Sequence, residues 1–498
     1  MVKSILGIGV ASALLAACTV GPDYVRPDAP HAAAFVQAPI DAASAGPVNT
    51  TADAEFWRSF NDPQLSALVE RALLENHDVR IALSRYDAAN ALLRDAQYAR
   101  LPTFTATADA QHVRSSADQL PGYSRDERDN HGYDGSLGAV WELDFFGRLR
   151  RASEAGHADA QAAAADLAAM QVAIASSVAQ GWFQLRGIQS QLEIARENAS
   201  TQQRTLKLLE ARTQIGVGDA FDVDRGRTQL ETTLARIPSL EAAEAVAANR
   251  IAVLVGATPE SMSADLLVAG PMPALPPAPA PGTPSDLLRR RPDVAAAERR
   301  VAGATARVGV ATADLFPRFT LGALFGTQAI ASSALFARDS ETRVLSLGMD
   351  GSFLNVGRVR ARIAAANAQT AEDLASYQQT VLRALEDTEN ALVRVDRSRK
   401  EAAHLDQAAQ AGARAADLAR LRLDNGAIDT LDMLDAERSR LDAEDAAVQA
   451  KVRSGQAMVQ LYAALAGGWP NYIAAESLPP APATQAGQRR EVAMEMPR

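Results

Sequence analysis

The chain of 498 residues contains one cysteine, six histidines and only 5% aromatic residues. A lone cysteine excludes an internal disulfide and supplies too few thiolates for a zinc site. The histidines (His31, His77, His112, His131, His157, His404) are scattered, with no metal-ligand spacing. No HExxH, Walker-type phosphate loop, Rossmann glycine pattern or GxSxG occurs. The stretch "GVGDAFD" lacks the Lys and Ser/Thr of a phosphate loop and reads as a hairpin turn. No catalytic residue, metal ligand or cofactor site is therefore expected. A net charge of -10 argues against nucleic acid as a partner. After the first twenty residues, no uncharged apolar run of membrane-spanning length is evident. No proline occurs between Pro121 and Pro238, nor between Pro317 and Pro470. Proline breaks helix interiors, so these gaps permit very long helices. Abundant alanine favours such helices and lets them approach closely.

The cysteine itself is well placed. Lys3 precedes the apolar run "ILGIGVASALLAA", and Ala16 and Ala17 precede Cys18. This is the layout of a secretory signal peptide, too short to span a bilayer as a mature helix. Leu15-Ala16-Ala17-Cys18 resembles the bacterial lipobox, which implies cleavage before Cys18 and its lipidation. Thr19 stands where an Asp would favour inner-membrane retention, so the resemblance implies outer-membrane sorting. The expected organisation is a signal peptide (1–17), a lipidated N-terminal segment (18–61), a first repeat (62–267), a proline-rich connector (268–285), a second repeat (286–468) and a C-terminal tail (469–498).

The two halves share landmarks. Gly147-Arg148 matches Gly357-Arg358, with 357 − 147 = 210, and Gly216 matches Gly426, with 426 − 216 = 210. "LPTFTA" from Leu101 pairs with "FPRFTL" from Phe316. Each half predicts a helix, two strands, a long helix, a glycine turn and a second helix. Phe104, Ala106, Ala108 and Ala110 alternate with Thr103, Thr105, Thr107 and Asp109. Tyr133, Leu137, Ala139, Trp141 and Leu143 alternate with Asp134, Ser136, Glu142 and Asp144, with Val140 breaking the polar side. In the second half, Phe319, Leu321, Ala323 and Phe325 form one run, and Leu345, Leu347 and Met349 another. Period 2 gives one apolar and one polar face, which suits either soluble hairpins or strands of a membrane barrel. Four strands cannot close a barrel, and an open edge is not tolerated in lipid. A membrane sheet must therefore be shared between chains, most simply three. The helices from about Gly147 to Gly216 and from Gly357 to Gly426 would each extend ~100 Å at 1.5 Å per residue. Leu374, Tyr377, Val381, Leu385 and Leu392 give a diluted heptad-like stripe, as in a coiled coil or helical tube.

The stretches "CTVGPDYVRP", "FWRSFNDPQLSALVERALLENHDVRIA", "LLRRRPDVAAAERRVAGATARVGVATADLFPRF", "NVGRVRARI" and "NGAIDTLDMLDAERSRL" resemble the TolC-like outer-membrane factors of tripartite efflux pumps, lipoprotein branch. The resemblance covers nearly all of residues 18–467. It implies a mixed α/β membrane protein with duplicated strand-strand-helix-hairpin halves. Three copies would form a twelve-stranded outer-membrane β-barrel continued by a long α-helical periplasmic barrel. Implied partners are a periplasmic adaptor and an inner-membrane pump, often of the resistance-nodulation-division (RND) type, with outer-membrane lipid around the barrel. Alternatives are the outer-membrane component of a type I protein secretion system, or a structural or adaptor coiled-coil lipoprotein. The turns Gly216, Val217 and Gly218, and Gly426, Ala427 and Ile428, are expected to meet the adaptor. "DTLDMLDAERSRL" places Asp432, Asp435 and Arg438 three residues apart on one helix face. Matching acidic positions in TolC-like tunnels imply a periplasmic gate there, with Asp222 and Asp224 contributing from the first repeat.

Overall fold

The computed structural model describes residues 19–28, 33–36, 54–351 and 354–465. The signal peptide, Cys18 and the tail 469–498 lie outside them. After a 3₁₀ turn at Phe56–Phe60, the chain forms α1 (Pro63–Glu75), α2 (His77–Tyr98), β1 (Thr103–Arg114), β2 (Asp129–Leu143), α3 (Arg148–Gln214) and α4 (Ala220–Leu254). It continues through α5 (Pro259–Leu266), α6 (Pro284–Arg290), α7 (Pro292–Ala313), β3 (Arg318–Ala329), β4 (Glu341–Asp350), α8 (Val356–Asp424) and α9 (Thr430–Ala464). These residues divide into two units. One holds those within Met1–Ala29, Arg85–Ala165 and Asp293–Val381, the other those within Pro30–Ser84, Asp166–Pro292 and Leu382–Arg498.

The first unit contains a four-stranded sheet in the order β1-β2-β3-β4, antiparallel throughout. Threonine and large apolar residues alternating along the strands suit this pleated geometry. The register gathers the apolar side chains on one face. Phe104 lies opposite Ala139, Ala139 opposite Ala323, and Ala323 opposite Leu345. The rungs Trp141–Leu321–Leu347 and Leu143–Phe319–Met349 continue it. Among the described residues nothing covers this face: Leu345 is 79% exposed, and Phe104 and Leu347 are each 69% exposed. Near the 115–128 loop the same face turns polar, with His112 opposite His131 and Arg114 paired to Asp129. The other face carries Thr107–Ser136–Gly326–Thr342 and Asp109–Asp134–Gln328. Val140 sits on that polar face, opposite Thr103 and Gly322. β1 and β4 each have a partner on one side only.

The second unit concentrates the few aromatics. Phe56, Trp57, Phe60, Trp182, Phe183 and Tyr462 share one core. Phe56 stacks on Tyr462 at 5.1 Å, and Phe60 meets Phe183 edge-on at 5.3 Å. Asp62 caps α1 by accepting from the backbone N–H groups of Gln64 and Leu65, and also takes the Trp182 indole N–H at 2.8 Å. Two glycines let α3 and α9 touch closely: a Cβ on Gly455 would lie 2.3 Å from the Phe183 ring, and one on Gly187 2.2 Å from Val452. One sequence expectation needs correction. By length and composition α3 is apolar enough to cross a membrane, though half of its apolar stretch is buried within the chain. Its apolarity is spread over many alanines, so no conspicuous run marks it.

Candidate functional site at the hairpin turns

The turn that ends α3 is a Schellman motif. Val217 N–H donates to Arg212 O (3.0 Å) and Gly216 N–H to Thr213 O (3.0 Å), with Gly216 at φ +80°. The turn after α8 repeats it: Ala427 N–H donates to Arg422 O (2.8 Å) and Gly426 N–H to Leu423 O (3.0 Å), with Gly426 at φ +69°. Asp219 and Asp429 then cap α4 and α9. Gly218 has a separate constraint, since a Cβ there would lie 2.8 Å from the Thr213 nitrogen. Apolar side chains are presented at the first turn, with Ile215 74%, Val217 77% and Phe221 63% exposed.

Just past the second turn, Asp432, Asp435 and Arg438 are all exposed. Arg438 pairs with Asp435 of its own helix at 2.9 Å rather than reaching another helix. Asp222 lies half-buried in the first turn of α4, and Asp224 is exposed.

Two features lay outside the sequence expectations. The first is a seam between the hairpins. Asp445 on α9 accepts from Arg236 on α4 and from Gln191 on α3 at 2.9 Å. Nearby, Gln229 donates to Leu434 O at 3.4 Å. The second is a set of charged rungs within each hairpin. Glu210 on α3 meets Arg227 on α4 at 3.0 Å, and Arg196 meets Glu241 at 2.7 Å. Adding 210 to each number gives the second hairpin's rungs: Arg420–Glu437 at 2.8 Å and Asp406–Lys451 at 2.7 Å. All four positions carry the opposite charge. The rungs are two heptads apart, since 210 − 196, 241 − 227, 420 − 406 and 451 − 437 all equal 14. Lys451 holds the Asp406 carboxyl below the usual carboxylate range by hydrogen bond and charge. Glu437 is 4% exposed, and its Oε2 has no hydrogen-bond partner. Among the described residues, no group of three or more His, Cys, Asp or Glu has the geometry to hold a metal.

The family model "Outer membrane efflux protein" matches residues 68–257 and 283–467. The chain belongs to this family. It is 34% identical over 426 residues to the pyoverdine export outer membrane protein OpmQ of Pseudomonas putida, covering 84% of this chain and 88% of that protein. It is 28% identical over 478 residues to the toluene efflux pump outer membrane protein TtgC, from another strain of Pseudomonas putida, covering 94% and 96%. The solved structure of the outer-membrane channel OprN matches it with a TM-score of 0.81 at 39% identity, over 91% of this chain and 100% of that one. The protein is an outer-membrane channel of a tripartite efflux system. The family consists of channels rather than enzymes.

Proposed function

We propose that three copies of this chain join their sheets, 3 × 4 = 12 strands, into one outer-membrane barrel that opens into a periplasmic helical tunnel. The observation that carries this is the sheet itself, apolar on one face, mostly small and polar on the other apart from Val140, Leu324 and Val344, and open at β1 and β4. Joining β4 of one copy to β1 of the next removes every open edge. Twelve strands leave a lumen lined mostly by threonine, serine, glycine and aspartate, with Val140, Leu324 and Val344 among them, whereas eight would fill with side chains. Cys18 carries the lipid and tethers the N-terminal segment to the periplasmic leaflet. The turns at Gly216–Gly218 and Gly426–Ile428 contact a periplasmic adaptor, and Asp432, Asp435, Arg438, Asp222 and Asp224 line the closed end of the tunnel. An inner-membrane pump of the RND class supplies the cargo. Relatives named for pyoverdine export and toluene efflux favour small organic compounds. The organisation 1–17, 18–61, 62–267, 268–285, 286–468 and 469–498 is part of this reading.

The test is purification of the mature chain from membranes. It should require detergent, cross-link as a trimer and form channels in planar bilayers. A detergent-independent monomer of the Cys18→Ser chain would instead support an adaptor-type lipoprotein. Complementation of drug efflux, without complementation of protein export, would separate this role from type I secretion. Mass spectrometry of the N-terminal peptide should find acyl chains on Cys18, and a free thiol there would remove the anchor.

A further inference from the structure

A cavity of about 540 Å³ lies between the end of α2, the start of α3 and α7. Its wall holds Arg100, Arg150, Arg151 and Arg299 against a single acid, Glu154, with Tyr24 of the N-terminal strap alongside. Most of these cations are engaged. Arg150 bonds Asp144, Arg151 bonds Asp23 and Glu154, and Arg299 bonds Glu298. The Arg100 guanidinium has no ion pair among the described residues. The strap is held firmly: Tyr24 donates to Glu298 at 2.7 Å, and Asp23 meets Arg151 at 2.6 Å.

Two contacts place this cavity at the level where lipid ends. The Arg100 carbonyl accepts the indole N–H of Trp141 at 3.0 Å, and Trp141 stands on the apolar face of the sheet. Trp141 stands one rung from the last of the apolar band, Leu143–Phe319–Met349, where a tryptophan places its ring in lipid and its N–H toward the headgroup layer. Val20 N–H donates to Phe146 O at 3.2 Å, and Thr19 packs on Gly147. The first described residues, Thr19 and Val20, therefore lie at the foot of β2.

We propose that this cavity binds the phosphate of an anionic phospholipid of the phosphatidylglycerol type, with the Arg100 guanidinium as its main donor. The inference rests on the sheet's apolar face meeting lipid. A guanidinium presents a planar fork of N–H groups that matches two phosphate oxygens. Arg150, Arg151 and Arg299 are already paired with Asp144, Asp23, Glu154 and Glu298, so Arg100, unpaired among the described residues, is the charge that opposes the ammonium of a zwitterionic headgroup and tolerates an uncharged glycerol. The acyl chains would then run beside Trp141 along the apolar face. Basic pockets at this depth in other membrane proteins hold anionic headgroups for the same electrostatic reason.

The experiment uses the full-length channel in nanodiscs of phosphatidylcholine containing a minor share of phosphatidylglycerol, with retained lipid read by native mass spectrometry. Preferential retention of phosphatidylglycerol is expected. Arg100→Gln should weaken it about tenfold, the worth of one charge-assisted pair, with trimer content and conductance unchanged. Arg100→Lys keeps the charge without the fork and should fall between the two. Equal retention of the two lipids, or an Arg100→Gln variant that binds like the parent, overturns the proposal. So does displacement of the lipid by inorganic phosphate at comparable concentration, which would reassign the cavity to a soluble anion. Failure of the parent chain to enter nanodiscs would instead sink the barrel reading, and this inference with it.

Discussion

Replacing Asp445 by alanine should open the channel. Its carboxylate is the junction of the seam between the hairpins, shared by Arg236 from α4 and Gln191 from α3. The Asp445 side chain is 16% exposed and that of Arg236 34%. A hydrogen bond to a charged group contributes about 1.5–3 kcal/mol when buried, and partial exposure of Arg236 reduces this to about 1–2 kcal/mol. Three copies in a trimer give about 3–6 kcal/mol. If the seam forms only in the closed state, losing it shifts the closed-to-open equilibrium by about two to four orders of magnitude. Asp445→Asn retains an acceptor for Gln191 but loses the charge opposite Arg236, so its effect should be intermediate. Single-channel recording in planar bilayers gives the open fraction directly, and cross-linking checks that trimers persist. An Asp445→Ala channel with the parent's open fraction and conductance would refute the idea that this seam restrains the hairpins.

Asp432→Ala combined with Asp435→Ala should weaken cation preference in the same recordings. It should leave the thermal midpoint nearly unchanged, because Asp435–Arg438 is an exposed i,i+3 pair worth only ~0.2–0.5 kcal/mol. Gly216→Val and Gly426→Val force left-handed backbone onto a branched residue at a cost of about 1–2 kcal/mol each. Trimers should survive while cross-linking to an adaptor is lost, and retained cross-links would move the docking surface elsewhere. Strap docking should depend on acidity. Burial of Glu298 favours its neutral form, but the Tyr24 hydroxyl and Arg299 outweigh this and hold its carboxyl below the usual range. The stabilisation is therefore complete above the unfolded carboxyl value of about 4.3 and fades as pH falls through the lower folded value. Pepsin cleavage of the strap should rise below about pH 4 in the parent, and a Glu298→Gln channel should show no such step.

The helices were legible because their ends are. Gly216 and Gly426 terminate α3 and α8 as left-handed caps, and proline is missing from both helices. The strands were legible where large apolar residues alternate with polar ones, and illegible where they do not. β2 starts at Asp129 rather than Tyr133, because Asn130 and His131 carry no alternation and join the strand only through pairing with Val113 and His112. The stripe on α8 was seen in part. Tyr377, Val381 and Leu392 are buried as expected, but Ala384, Thr388 and Ala391 complete the seam and are too small to mark it. The acids past the second turn stand out by local spacing. Asp445 does not, since its partners lie 209 and 254 residues away. The charged rungs were accessible: aligning the halves at 210 sets Glu210 against Arg420 and Arg227 against Glu437.

Those inverted rungs decide what can be transplanted. Each hairpin carries both partners of its own rungs, so either could be copied or exchanged whole with those rungs intact, leaving the Asp445–Arg236 seam to be matched. A single helix could not. Setting α9 against α3 would place Glu437 opposite Glu210 and Lys451 opposite Arg196, and α8 against α4 would pair Arg420 with Arg227 and Asp406 with Glu241. For anyone grafting a new tip onto this channel, the exchangeable unit is two helices and the turn between them.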